Sequence, residues 1–164
     1  MWEILTGLLV GTAISGILPL INAELLVVAA AAALPGVGVP LVAAVSAIGQ
    51  MSAKTLLFSL ARWAPAKLPQ KARARVAKAS EAVSKRGGAV SSLVFTSATL
   101  GFPPLYGVSL ACGTLQMPVL RFVISGTAGR MVRFGVLAWA GHRFGSSALE
   151  SLAERGFPSF LMGG

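Results

Sequence analysis

Apolar residues run through this chain in long blocks, interrupted by few polar positions. From Ile4 to Pro35 the only ionisable side chain is Glu24, and the next is Lys54. As one helix the Ile4–Pro35 block would be about 48 Å long at 1.5 Å per residue. One crossing of a bilayer core needs about 20 residues and two need about 40, so the block fits neither. Ser15, Gly16, Pro19 and Asn22 stand in its middle, and all weaken a continuous helix. The pattern predicts two half-helices meeting near Pro19, a re-entrant hairpin with its tip near the bilayer centre. A single long helix, tilted and kinked at Pro19, is the alternative.

The next block, Val39 to Trp63, has the length of a full span. Gly36, Gly38 and Pro40 set its start, and Arg62 and Trp63 mark an interface at its end. A basic segment comes next, in which Gln70 to Arg86 suits a helix stopped by Gly87 and Gly88. Its thin apolar stripe of Val76, Ala79 and Val83 fits a helix on anionic headgroups or a solvated one. The plan then repeats. Ala89 to Leu115 is apolar and broken by Gly101-Phe102-Pro103-Pro104, and Met117 to Gly141 is a second span opened by Pro118 as the first is by Pro40. Pro19-Leu20 before Leu25 matches Pro104-Leu105 before Leu110 in spacing.

Composition sharpens this picture. Only 12% of the 164 residues are charged and 55% are apolar, whereas a soluble domain carries about 25% charged residues. The expected fold is an all-α integral membrane protein: two re-entrant helical hairpins plus two full transmembrane helices, forming an inverted repeat. One domain would span 1–144, with a first repeat at 4–63, a basic linker at 64–88 and a second repeat at 89–144. Residues 145–164 would be a short C-terminal tail, a surface helix and a loose end. Met1-Trp2-Glu3 lacks a basic n-region, so the first apolar segment is expected to stay attached.

The net charge is +9, and its placement matters more than its size. Lys67, Lys71, Arg73, Arg75, Lys78, Lys85 and Arg86 against Glu81 put most of it between the two apolar halves. That distribution follows the positive-inside rule, which predicts a multi-pass membrane protein with the linker on the cytoplasmic side. No basic face interleaved with stacking aromatics points to nucleic acid. Asp is absent, and His142 and Cys112 are the single histidine and cysteine. Zinc sites, Ser-His-Asp triads and disulfides therefore lack their parts. Neither a metal, a cofactor nor an enzymatic activity is expected; Ser125 and His142 stand about 25 Å apart along one helix, beyond hydrogen-bond reach.

The candidate chemistry lies in the polar residues of the apolar blocks. An intramembrane carboxylate is costly and is a functional candidate by default. Glu24, near the first hairpin tip, could carry a proton by exchanging its charged and neutral forms, or could be a fixed ion pair joining helices. Lys54 lies about 12 Å deeper than Arg62, with Gln50 one turn earlier on the same face. Arg130 and Arg133 share a face about 13 Å and 18 Å in from Arg121, and an arginine pair suits a phosphate or carboxylate head group. The other possibility is a structural Glu24–Arg130 or Glu24–Lys54 pair with the spare cations snorkelling. The Pro103-Pro104 break exposes backbone groups that need a cavity or a neighbour, making Tyr106 and Ser109 candidate contacts. Gly49, Ala53, Ser125, Gly126, Ala128 and Gly129 form small-residue faces for helix packing.

Four stretches resemble the DedA family of bacterial membrane proteins, also called the VTT or SNARE-associated Golgi protein family. Ile17 to Leu25 is similar to its proline-containing hairpin with an acidic residue, at Glu24. Gly49 to Arg62 is similar to its glycine-rich span, Gly113 to Pro118 with Arg121-Phe122 to its Gly-x-x-x-Met-Pro-x-x-Phe segment, and Gly129 onward to the helix after it. The resemblance covers about residues 8 to 141. The family's acidic residue in the first span falls on Lys54, a charge reversal, and its two arginines fall on about Thr99 and Leu105, so both are missing. In this the chain looks like the small branch typified by the YqaA proteins. The resemblance implies a place in a bacterial inner membrane and translocation of an anionic lipid, of the undecaprenyl phosphate class, with proton coupling through Glu24.

The residues and the resemblance together set one expectation: a translocator of an anionic lipid or small amphiphile, proton-coupled or passive. Glu24 would take the proton, and Arg130 and Arg133 the head group. This predicts that polar residues of both halves converge at one depth. The alternative is a non-transporting membrane protein for envelope homeostasis or assembly, with every intramembrane charge paired in a dry core. Expected partners are anionic membrane lipids, and so small a bundle leaves room for a homodimer sharing its packing faces.

Overall fold

The computed structural model describes residues 1–18, 22–34, 38–64, 66, 69–84 and 90–154, which are helical apart from short connections. In the first half α1 (Trp2–Ile17) and α2 (Ala23–Ala33) precede the long α3 (Val39–Trp63). Then α4 (Gln70–Ser84) leads to α5 (Val90–Leu100), α6 (Leu105–Thr114) and α7 (Val119–Glu154). The Ile4–Pro35 block is thus two helices and not one kinked one. Leu18 is extended, and Asn22 caps α2 by accepting from the Glu24 amide at 2.9 Å. Pro19 itself lies outside the described residues, as do Lys67, Lys85, Arg86, Gly87 and Gly88.

The second break has a clear local cause. Gly101 ends α5 at φ +81, a left-handed conformation that glycine adopts at little cost. Pro103 and Pro104 follow after Phe102, and Pro104 stands at the N-cap of α6. Proline lacks the amide that a continuous helix would need there.

Packing exchanges elements between the halves. Helix α1 lies on α3 and α5 on α7, each within its own half, whereas α2 crosses to α7 and α6 crosses to α3. Helices α3 and α7 also pack on each other. Glycines set these crossings at equivalent places. Gly49 and Gly129 occupy the same step of α3 and α7. A Cβ on Gly49 would strike Thr12 and Leu9 of α1, and one on Gly129 would lie 2.6 Å from the Phe95 oxygen of α5. Ala61 and Gly141 are likewise equivalent: Ala61 and Phe58 meet Gly113 of α6, and Gly141 meets Val28 of α2. Small residues permit this close approach of backbones.

Two principal cores result. One joins Leu5, Leu8, Val27, Ala30, Val42 and Ala47 of the first half to Phe134 and Ala138 of α7. The other joins Val94, Ala98, Val108, Cys112 and Phe122 of the second half to Met51 and Phe58 of α3. Phe58 and Phe122 stack with ring centroids 4.7 Å apart. Each long helix therefore delivers a fully buried phenylalanine to the opposite half.

Two expectations need correction. The helix that begins near Met117 does not stop at Gly141 but runs unbroken to Glu154, so residues 145–154 extend the second long helix and form no separate surface helix. Gly141 and Gly145 abut Val28, Ala31 and Ala32 of α2, and this packing outweighs their weak helix propensity. Nor is α4 free on headgroups or in solvent, because it packs on α6 and inserts Val76 beside Leu57, Ala61, Tyr106 and Leu110. Of the two expected spans, α3 is the one helix among the described residues that is long and apolar enough to cross a membrane. Its counterpart α7 is longer but carries Arg121, Arg130 and Arg133.

Candidate functional site

A cavity of about 350 Å³ lies where the two breaks meet the two long helices. Helix α3 contributes Gln50 and Lys54, α7 contributes Arg130, Arg133 and Phe134, and the breaks contribute Ser15, Asn22, Glu24, Gly101, Pro104 and Tyr106. Six of the seven residues singled out for ion coupling or ligand contact therefore line this cavity: Glu24, Gln50, Lys54, Tyr106, Arg130 and Arg133. The seventh, Ser109, does not. It is fully buried, and its hydroxyl donates to the Leu105 oxygen one turn back at 2.6 Å.

The two halves treat their helix ends alike. Lys54 Nζ donates to the Gly16 oxygen at the C-terminal end of α1 at 2.6 Å. Arg133 Nη1 donates to the Thr99 oxygen at the C-terminal end of α5 at 2.9 Å. Terminal helix carbonyls have no intrahelical partner and carry partial negative charge, so a cation there is doubly favourable. Each cation also faces the first turn of a second arm. Lys54 lies 5.3 Å from the ring centroid of Tyr106, and Arg133 binds the Glu24 carboxylate through Nε at 3.1 Å and through Nη2.

This pairing differs from both pairs considered from the sequence. Glu24 takes neither Arg130 nor Lys54 but Arg133, one turn further along α7. Arg130 is 9% exposed, has no hydrogen-bond partner for its Nε, and lies 5.7 Å over the Phe134 ring. Lys54 is 6% exposed and its hydrogen-bond partner is a carbonyl. Among the described residues the cavity thus gathers three cations around one carboxylate. Burial makes uncompensated charge costly, and an anion in the cavity would offset it.

Ser15, Asn22, Gly101 and Phe134 entered the site unforeseen. Ser15 and Asn22 were legible as helix breakers, and a polar residue inside an apolar block was the signal that they also face something polar. Phe134 carried no such signal, since an aromatic in an apolar helix is ordinary core. Among the described residues no group of three or more His, Cys, Asp or Glu side chains could hold a metal ion. The chain matches no family model, no curated protein and no solved structure.

Proposed function

We propose that this chain is a multi-pass membrane protein that binds an anionic amphiphile in its central cavity and moves the head group across the bilayer. The observation that carries the reading is the convergence of Lys54, Arg130, Arg133 and Glu24 from both halves on one cavity between broken helices. Broken helices around a polar cavity are the arrangement by which inverted-repeat transporters build midplane sites. In this reading α1–α2 and α5–α6 are the re-entrant hairpins, and α3 and α7 are the spans. The exchanged packing of the arms supports the inverted repeat. Leu41, Ile48, Leu56 and Leu60 of α3 and Leu120, Ile124, Val132 and Val136 of α7 are exposed, which suits a lipid-facing surface. Exposed Trp63 at the end of α3 suits an interface. The charge of the basic linker supports a cytoplasmic side for residues 64–88, and a bacterial inner membrane rests on the family resemblance. The same order of elements supports the resemblance to the DedA family.

Glu24 is half-exposed to the cavity and held by Arg133. Protonation would release Arg133, which couples a proton to the anion at the same site. One observation favours the non-transporting alternative: the Glu24–Arg133–Thr99 link by itself ties α2, α7 and α5 together.

Transbilayer movement of a labelled prenyl phosphate in proteoliposomes, with and without a pH gradient, separates these readings. Gradient-driven movement by wild type, lost in Glu24→Gln and reduced in Arg130→Ala, supports proton-coupled translocation. Movement indifferent to the gradient supports passive scrambling. Folded protein that moves no lipid above empty liposomes overturns the prenyl-phosphate reading.

A further inference from the structure

Two polar atoms of the cavity residues are left over. Gln50 and Arg130 occupy the same step of α3 and α7, and both line the cavity. They are 7% and 9% exposed, and Gln50 Oε1 and Arg130 Nε are buried without a hydrogen-bond partner. The orientation of the Gln50 amide is set by its neighbour. Ser15 donates its single hydroxyl proton to the Thr12 oxygen at 3.2 Å, so towards Gln50 it can only accept. Gln50 Nε2 faces it at 3.3 Å, and the amide oxygen is the end left unpaired.

One orphan accepts and the other donates. Unpaired burial of each is a standing cost, which turning these flexible side chains onto an occupant of the cavity would relieve. An anion without hydrogens would serve Arg130 and repel the Gln50 oxygen. An anion that carries its own O–H would serve both. We propose that Gln50 is a specificity residue, accepting an O–H from an oxyanion whose charged oxygens lie towards Arg130 and Lys54. The cavity then prefers a phosphate monoester that keeps one proton over a diester of equal charge. This inference rests on the proposed binding of an anion in the cavity and adds the ligand's donor to it.

A free phosphate monoester and a lipid headgroup offer the same chemistry, so the test has two arms. In the first, the full chain in detergent micelles is titrated calorimetrically with methyl phosphate and with dimethyl phosphate at about pH 5. Below the second phosphate ionisation near 6 both are monoanions, and they differ in one O–H. In the second, native mass spectrometry counts lipid retained from micelles holding equal phosphatidic acid and phosphatidylmethanol. The monoester is expected to win by about ten-fold, the worth of one hydrogen bond. In Gln50→Met the ratio should fall to about one with dimethyl phosphate affinity unchanged. A preference confined to one arm identifies the source as lipid or free ester. Equal affinities in wild type overturn the role of Gln50 and leave anion binding standing, even where Gln50→Met fails to fold. A ratio that survives Gln50→Met overturns it too. No binding in either arm overturns the anion-binding reading as well.

Discussion

The cation stations of the two halves share a position and differ in chemistry. Lys54 and Arg133 each close the carbonyl end of a first arm, yet Lys54 then meets an aromatic ring and Arg133 a carboxylate. The repeated packing decides where a cation stands, because a broken helix needs a donor for its last carbonyls. The group opposite is decided residue by residue. A lysine is a point charge that suits a ring face, whereas the arginine fork can hold a carboxylate and a carbonyl together. The difference leaves Arg133 neutralised by a carboxylate from the other half, while Lys54 has only a ring and a carbonyl opposite its charge.

The largest effects should come from removing what the halves exchange. Phe58→Ala and Phe134→Ala each empty a fully buried ring position in the opposite half's core. Each should cost about 3–5 kcal/mol, measured by denaturant unfolding in micelles. The two losses should add if the cores are independent, and strong coupling between them would show a single core instead.

Gly49→Ala and Gly129→Ala test whether the crossings are equivalent. In each a new methyl meets a neighbouring backbone, and overpacking costs about 1–3 kcal/mol. Similar losses are expected, and a neutral result at one position would break the symmetry there. Next in size is the contrast between stations. Arg133→Ala leaves a half-exposed carboxylate and the Thr99 carbonyl without their donor, about 1–2 kcal/mol after allowance for solvent screening. Lys54→Met leaves the Gly16 carbonyl alone, about 1 kcal/mol; the reverse order would mean that Lys54 holds more than that carbonyl. The smallest stability effect is expected for Glu24→Gln. By freeing Arg133 it should bind methyl phosphate several-fold more tightly than wild type does, and weaker binding would show that Glu24 is not an internal competitor for the anion.

Much of the helix plan is legible in the chain, for local reasons. Proline lacks an amide and glycine tolerates a left-handed turn, so the breaks near Asn22 and at Gly101–Pro104 were readable, as was Pro118 before α7. Lys54, Arg130, Arg133 and Glu24 stood out because charge inside an apolar block has few bland explanations. Gly141 misled as a stop signal, because a glycine that ends one helix serves in another as a contact surface. Ser109 misled similarly, since its hydroxyl had a partner one turn back in its own helix.

By itself the sequence determined the number and limits of most helices, the apolar character of α3 and the small set of polar groups available for chemistry. These features arise from local backbone preference and the cost of burying charge, both of which act within a few residues. Only the tertiary structure decided that α2 and α6 cross to the other half, that α4 docks through Val76, and that Glu24 takes Arg133. It also left Gln50 and Arg130 each with an unpaired atom. Such outcomes depend on which surfaces fit at Gly49, Gly113, Gly129 and Gly141, and on one carboxylate having three cations to choose from. Choices of that kind are made by distance across the fold, and spacing along the chain does not encode it.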